Sequence, residues 1–337
     1  MRTLLVSGLL ALAAILVVVP GLVLLGSWAS LDRERRHTAA TEALLLLAPG
    51  TSEGLVRIDA RGMTFRARVA GLDGDGPAVV MLHGFPETSA MWEPLSRAAD
   101  DEGFRVLAFD QRGYSPGARP EGVAAYSIDQ LIRDVLQVAD AVGFERFHLV
   151  GHDWGSAVGW GVVVASPERV VTWTGLSIPH PMAFRAVLES DPEQQQRSSY
   201  FRLFTTPWLP ELMFTFNDLA TLREGVYAPA TSEQREEYLR VFAEPGALTS
   251  ALNWYRAMPL APTQAPSQDP VVTRPSLFIW GNRDRAVARA SVEAQRAYIK
   301  GPFQEIELDA GHWIMEEATD RVVQSILTHW TTPHPPQ

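Results

Sequence analysis

An aspartate stands between two glycines in segment 151–155, which reads Gly-His-Asp-Trp-Gly. The apolar run before this segment predicts a short buried strand, and the apolar, small-residue run 156–165 after it predicts a helix packed closely against a sheet. A strand, the pattern G-x-nucleophile-x-G and a helix form a sharp turn that displays the central side chain. A carboxylate displayed in this way can attack a saturated, electrophilic carbon and form an alkyl ester. The segment therefore predicts covalent catalysis by Asp153.

A carboxylate nucleophile needs a base that activates water against the ester it has made. Behind such a turn, the orienting acid and the histidine base follow the nucleophile in that chain order. His312 lies just past the last predicted core strand, and Asp284 follows the strand before it. A carboxylate at 284 can hold the imidazole tautomer whose other nitrogen accepts a proton. Asp309 is the alternative acid, but its closeness to His312 favours a role in shaping the turn. We therefore predict Asp284 as the acid and His312 as the base.

The segment His-Gly-Phe-Pro, residues 83–86, closes the first long parallel strand that the sequence predicts. Backbone donors are expected there, because this position supplies half of the oxyanion hole in folds built around such a turn. We predict that the backbone N–H groups of Phe85 and Trp154 stabilise the negative charge that forms when water attacks the ester of Asp153.

A second segment, 113–117, matches G-x-S-x-G and could indicate a serine esterase. Pro116 and Pro120 exclude the helix that must follow a nucleophile turn at once. Ser115 is therefore predicted to lie in an ordinary loop.

The composition excludes several kinds of site. The 337 residues include 29 basic and 39 acidic side chains, a formal net charge of −10, and no cysteine. Disulfides, thiol catalysis and thiolate metal sites are excluded, and the acidic balance without a basic stripe argues against nucleic acid as a partner. The eight histidines fall singly, with no metal-binding spacing.

From Gly54 onward, apolar strand patterns alternate with helical patterns, which predicts an α/β fold: a mostly parallel sheet with helices on both faces. The alternation stops near residue 181 and resumes after a proline-punctuated linker, 261–270. We predict a first core part over 54–180, a helical cap over 181–262, a second core part over 263–330 and a disordered tail over 331–337.

The predicted cap is rich in bulky apolar side chains. Such side chains are too numerous for a solvated face, so we expect them to line the cap's own core or a pocket beneath it. They are Phe201, Phe204, Trp208, Leu209, Met213, Phe214 and Phe216.

The N-terminal region, residues 1–30, contains an almost unbroken apolar run over 4–25. About 20 apolar residues suffice to cross a bilayer, so we predict a single-pass membrane anchor, with a cleaved signal peptide and export as the alternative. Three arginines after the run, against one before it, favour a cytoplasmic catalytic domain if the anchor is retained. Residues 31–53 are predicted to form a connecting helix and linker.

The motifs around Phe85, Asp153, Asp284 and His312, with the segment Asn-Trp-Tyr-Arg at 253–256, together resemble the soluble-type epoxide hydrolases of the α/β-hydrolase fold. The resemblance covers about residues 54–330. It implies an α/β-hydrolase core with a helical cap.

The resemblance also implies that two cap tyrosines bind the epoxide oxygen. The matching positions are Tyr255, in the segment Asn-Trp-Tyr-Arg, and Tyr200, in a looser aromatic pattern. The implied reaction is attack of Asp153 on an epoxide carbon, followed by hydrolysis to a vicinal diol with no cofactor. The apolar cap points to a small lipophilic epoxide, with water as the second substrate.

Three alternatives remain open. Haloalkane dehalogenases share the Asp nucleophile and the following Trp, but they usually carry Asn or a comparable halide donor at the position of Phe85 and need no paired phenols. Fluoroacetate-type dehalogenases expect Arg at the position of Trp154. A catalytically silent, membrane-tethered binding module is the third, and the complete set of candidate catalytic residues argues against it.

Overall fold

The computed structural model describes residues 21, 45–46, 51–258 and 270–333. The predicted anchor or signal segment apart from Gly21, most of the linker 31–53, residues 261–269 of the proline-punctuated return to the core and the last four residues lie outside this range. Within the described part of the chain, no helix combines the length and the apolar character needed to cross a membrane.

In the described part of the chain, nine strands form one sheet. In chain order, β1 to β9 are Leu45–Leu46, Gly54–Ala60, Met63–Ala70, Ala78–Leu82, Arg105–Phe109, Phe147–His152, Val170–Leu176, Ser276–Gly281 and Phe303–Leu308. Their order across the sheet is β1-β2-β3-β5-β4-β6-β7-β8-β9. The hairpin of β2 and β3 and the pair of β3 and β5 are antiparallel, and all other neighbours are parallel. The mostly parallel sheet that the sequence predicts is therefore confirmed.

The central strands are buried on both faces. β4 reads Ala-Val-Val-Met-Leu and β6 begins Phe-His-Leu-Val, and every residue in both strands is buried. Such continuous apolar runs are typical of parallel strands that helices cover on both sides. The edge strand β9 instead leaves three of its side chains exposed. The apolar core thus lies along the middle of the sheet, where the catalytic turn begins.

The helices fall into two groups. The core helices are Glu93–Asp101, Ile128–Ala141, Trp154–Ala165, Arg289–Ala294, Ile314–Glu317 and Thr319–Thr331. The helices between β7 and β8 are Pro181–Ser190, Pro192–Arg197, Tyr200–Phe204, Leu209–Ala220, Ser232–Ala243 and Ala247–Ala257, with a π-helical turn at Thr221–Val226. Short 3-10 helices lie at Ser89–Trp92, Val123–Tyr126, Pro167–Arg169 and Gln295–Tyr298. The helical segment predicted after β7 therefore forms helices, and we refer to residues 181–257 as the cap.

Two local predictions need correction. Leu45–Leu46, predicted as part of a helix and linker, forms β1 and pairs in parallel with Val56–Arg57. Periodicity cannot distinguish a short apolar strand from a helix, and the edge of β2 offers unpaired main-chain groups. The last helix also continues to Thr331, the first residue of the predicted tail.

Ser115 lies in a buried loop, as its neighbouring prolines predict. Its hydroxyl donates to the Asp110 carbonyl at 2.5 Å and accepts from the Arg66 backbone N–H at 2.9 Å. Both roles of the hydroxyl are structural, because they tie the loop to β3 and to the residue that follows β5.

Candidate active site

Asp153 connects β6 directly to the helix Trp154–Ala165 and is buried. Its φ of 49° and ψ of −119° are rare for a residue with a side chain, and such strain is concentrated at functional sites. The flanking glycines permit the turn. A Cβ at Gly151 would lie 2.3 Å from the Gly155 carbonyl oxygen, and a Cβ at Gly155 would lie 2.1 Å from the Leu82 carbonyl oxygen.

The Asp153 carboxylate accepts a hydrogen bond from a backbone donor and lies next to a helix N-terminus. The backbone N–H of Phe85 donates to Oδ1 at 2.8 Å. Gly84 makes this approach possible, because a Cβ there would lie 2.4 Å from the Asp153 Cβ. Trp154 is the first residue of the following helix, so its N–H has no partner within that helix. One carboxylate oxygen of Asp153 thus lies at a backbone donor, next to a helix N-terminus.

His312 lies between the two carboxylates predicted for it. Its Nε2 is 3.5 Å from Asp153 Oδ2, and its Nδ1 is 2.8 Å from Asp284 Oδ2. The other oxygen of Asp284 accepts from the backbone N–H groups of Ala286 and Val287, at 2.6 and 3.1 Å, so the carboxylate is fixed. Asp284 can therefore hold the Nδ1-protonated tautomer of His312.

Asp309, the alternative acid, is exposed and forms an ion pair with Arg283 at 3.0 Å. The structure thus brings Asp284, and not Asp309, to the imidazole of His312.

The charges of this group are coupled. Burial lowers the pKa of His312, but the carboxylates of Asp284 and Asp153 outweigh burial and raise that pKa well above its usual value. Burial raises the pKa of Asp153, but the hydrogen bond and the charge of His312 lower it by more. The net pKa of Asp153 is therefore lowered. Asp153 and His312 therefore form an ion pair, and the Asp153 carboxylate is ionised at neutral pH.

The two predicted tyrosines meet over the catalytic turn. Tyr255 is buried in the helix Ala247–Ala257, and Tyr200 begins the helix Tyr200–Phe204. Their ring centroids are 6.2 Å apart, and the Tyr255 ring is 5.1 Å from that of Trp154. Burial raises the pKa of both phenols well above the usual value, so both hydroxyls are protonated donors at neutral pH.

Aromatic side chains of the cap surround these phenols. Phe204 packs edge-on against Tyr255, at 5.0 Å between centroids, and Phe214 packs against Phe85 at 5.9 Å. The prediction that the bulky apolar residues of the cap are all covered is wrong for Trp208, Leu209 and Phe216, which are 83%, 50% and 49% exposed. These three residues lie on the outside of the Leu209–Ala220 helix and its start, an orientation that composition does not determine.

Three further buried residues, His152, Ser177 and Glu87, support His312, and the sequence analysis did not identify them. His152 Nε2 lies 3.0 Å from the His312 carbonyl oxygen, and its Nδ1 lies 3.0 Å from Glu87 Oε2. Ser177 also donates to the His312 carbonyl, at 3.0 Å. Burial raises the pKa of Glu87 to about 7. The signal available in the sequence was their position. His152 directly precedes Asp153, and Glu87 directly follows the motif at 83–86.

Comparison with known proteins agrees with this geometry. The model of a family described as the alpha/beta hydrolase fold matches residues 77–319. The chain is 34% identical over 284 residues to "Epoxide hydrolase 4" from Homo sapiens, covering 81% of this chain and 77% of the relative. It is 36% identical over 279 residues to the "AB hydrolase superfamily protein YfhM" from Bacillus subtilis, covering 81% of this chain and 96% of the relative.

A similar solved structure is one of the novel epoxide hydrolases of the alpha/beta hydrolases superfamily found in metagenomes from hot environments. It superposes with a TM-score of 0.74 at 31% identity, covering 84% of this chain and 100% of that chain. The chain therefore belongs to the α/β-hydrolase fold family and, within it, to the epoxide hydrolases.

Proposed function

We propose that this protein hydrolyses an epoxide to a vicinal diol through an alkyl ester on Asp153. One observation carries the proposal: the Asp153 carboxylate lies between the Phe85 amide, at 2.8 Å, and the imidazole of His312, at 3.5 Å. Tyr200 and Tyr255 lie over the same turn as protonated donors. The groups that could act as nucleophile, oxyanion donor, base and acids therefore lie together around the turn at Asp153.

In the first step, the ionised carboxylate of Asp153 attacks one ring carbon from the side opposite the ring oxygen. A carbon–oxygen bond forms as the ring carbon–oxygen bond breaks, and one of the two phenols gives its proton to the departing oxygen. The hydroxyls of Tyr200 and Tyr255 donate hydrogen bonds to this oxygen as its negative charge develops. Because the pKa of each phenol is raised, neither is ionised before the substrate arrives.

In the second step, His312 changes from the partner of a carboxylate to a base. Formation of the ester removes the negative charge of Asp153, which is one of the influences that raise the pKa of His312. The pKa of the imidazole therefore falls when the ester is present, and the imidazolium gives its proton, by way of water, to the phenolate that ring opening left. The neutral Nε2 can then take a proton from the attacking water. The hydroxide adds to the ester carbonyl of Asp153, and the Phe85 and Trp154 amides stabilise the resulting oxyanion. Collapse of this intermediate releases the diol and restores the carboxylate.

The paired phenols favour epoxide opening over the dehalogenase alternative. A departing alkoxide needs proton donors, which two buried hydroxyls supply. A departing halide needs no proton, and Phe85 contributes an apolar ring where haloalkane dehalogenases usually carry a halide donor. Parallel assays for diol formation and halide release distinguish the two reactions.

The aromatic surroundings of Tyr255 support a lipophilic epoxide as the substrate. We also propose that the N-terminal segment 1–30 anchors the protein in a membrane, on the strength of the apolar run 4–25 in the sequence. Membrane fractionation with a carbonate wash tests the anchor. Release of the full-length protein by the wash, or isolation of a chain that lacks this segment, would contradict it.

The covalent route is tested by a single turnover in ¹⁸O-labelled water, followed by mass spectrometry of the peptide that contains Asp153. Water attacks the ester carbonyl, so one labelled oxygen is expected in the Asp153 carboxylate after turnover. A diol that carries the label while the carboxylate carries none would refute the ester.

A further inference from the structure

We infer that Arg256 and Glu211 form a clamp that sets the spacing of the Tyr200 and Tyr255 hydroxyls, so that both reach one epoxide oxygen. The inference rests on the proposed function and assigns two positioning residues to it. Neither residue is placed to touch the reacting atoms, and both act through the tyrosines.

The clamp is a bidentate ion pair. Arg256 Nη1 donates to Glu211 Oε1 at 2.9 Å, and Nη2 donates to Glu211 Oε2 at 3.0 Å. Thr249 donates to the same carboxylate at 3.1 Å, from the helix that carries Arg256. Paired hydrogen bonds between guanidinium and carboxylate fix orientation as well as distance.

The clamp joins the two parts of the cap that carry the phenols. Arg256 directly follows Tyr255 in the helix Ala247–Ala257, whereas Glu211 lies in the first turn of the helix Leu209–Ala220. Arg256 Nη2 also donates to the Thr206 carbonyl at 3.0 Å, just after the helix Tyr200–Phe204. One guanidinium therefore holds the segment that follows Tyr200 at two points.

Aromatic packing and a side-chain hydrogen bond between Tyr200 and Tyr255 also join the two tyrosine segments. The rings of Phe201 and Phe204 lie 5.7 and 5.0 Å from that of Tyr255. Aromatic packing is strong but tolerates sliding, because its energy varies gradually with ring offset. The directional bonds of Arg256 add a restraint on the backbone segments that carry the two hydroxyls.

The burial of the clamp supports this role. The side chains of Arg256 and Glu211 are only 12% and 19% exposed. Exposed ion pairs in high dielectric contribute little, whereas a shielded, bidentate pair keeps its geometry. Lys at this position would keep the positive charge of Arg, but it lacks the planar guanidinium that donates two parallel hydrogen bonds.

The inference predicts an effect on one chemical step only. The phenols act on the departing ring oxygen, so their spacing affects formation of the ester. Hydrolysis of the ester depends on His312, Asp284 and the Phe85 amide, which the clamp does not touch. Loss of the clamp is therefore expected to slow alkylation and to leave hydrolysis nearly unchanged.

The experiment compares Arg256→Met and Arg256→Lys with the parent chain, each also in a His312→Gln background that retains the ester. Quenched-flow mass spectrometry with styrene oxide gives the rate at which the Asp153 adduct appears. A misplacement of about 1 Å can cost about 100-fold, so we expect Arg256→Met to slow alkylation by about 10- to 100-fold. Arg256→Lys should fall between Arg256→Met and the parent. In the chains that keep His312, the ester should decay within about twofold of the parent rate.

The ion pair of Arg119 and Glu244 provides a matched control. It joins the cap to a core loop at 2.6 Å, and its side chains are 12% and 20% exposed. Arg119→Met should leave alkylation within about twofold of the parent rate. An equal loss in this control, or equal loss of alkylation and hydrolysis in Arg256→Met, would show general loosening and overturn the inference. An unchanged alkylation rate in Arg256→Met would refute the clamp alone, whereas no adduct in any chain would refute the proposed function with it.

Discussion

Replacement of Tyr255 by Phe tests the role of the phenol most directly, because the ring is kept and only the hydroxyl is lost. The ring packs at 5.1 Å from Trp154 and 5.5 Å from Phe85, and phenylalanine retains both contacts. The lost interaction is a hydrogen bond to an oxygen that gains negative charge during ring opening. Hydrogen bonds to charged groups contribute about 1.5–3 kcal/mol. At about 1.4 kcal/mol for each tenfold change in rate, alkylation should slow by about 10- to 150-fold.

The assay is the pre-steady-state rate of adduct formation on Asp153 in a His312→Gln background. Tyr238→Phe is the matched control, since Tyr238 is a buried cap tyrosine whose hydroxyl has no hydrogen-bond partner among the described residues. Its loss should leave alkylation and the melting temperature close to those of the parent. If Tyr255→Phe alkylates at the parent rate while Tyr238→Phe does the same, the phenol does not assist ring opening, and the reasoning fails.

Three further outcomes are expected. His312→Gln should accumulate the alkylated enzyme, seen by intact mass, because the base is missing while the nucleophile remains; unchanged steady-state turnover would remove His312 from the mechanism. Asp284→Asn should slow ester decay by about 100- to 10,000-fold while adduct formation persists, because the tautomer of His312 is no longer fixed; a loss confined to alkylation would contradict this role. The pKa of His312 is higher in the folded chain than in the unfolded chain, where it is about 6.5. The protonated imidazole therefore contributes its full stabilisation below the unfolded pKa, and this stabilisation is lost as pH rises through the folded pKa. The free energy of unfolding of the parent should therefore fall toward that of His312→Gln as pH rises over this range. A difference in free energy between the two chains that widens with pH, measured by urea titration, would contradict this prediction.

The sequence was most informative where a motif has strict local requirements. Asp153 could be located because the turn needs glycine at 151 and 155, and both positions face backbone oxygens at less than 2.5 Å from a hypothetical Cβ. The sheet followed from alternating patterns, because buried parallel strands are nearly all apolar. The choice of Asp284 over Asp309 depended on the strand that Asp284 follows and on the closeness of Asp309 to His312 in the sequence, and the structure places Asp284 at 2.8 Å from His312.

Side-chain pairs between distant segments could not be predicted in this way. Glu211 and Arg256 lie in different helices, and no local pattern fixes the angle at which those helices meet. The exposure of Trp208 had the same cause, because aromatic content does not tell which side of a helix faces outward. The contact of Glu87 with His152 likewise depends on the sheet, which brings the loop after β4 next to the end of β6.

The pairing of Leu82 in β4 with Gly151 in β6 has a consequence for how this site tolerates change. Phe85 and Asp153 follow these two partners by three and two residues, so the 2.8 Å bond between them is set mainly by main-chain ladder bonds. Substitutions among the apolar side chains that pack against the sheet can therefore accumulate without altering the alignment of the Phe85 amide with the Asp153 carboxylate. A slip of one residue between the same strands would misalign the two groups even if every side chain were retained.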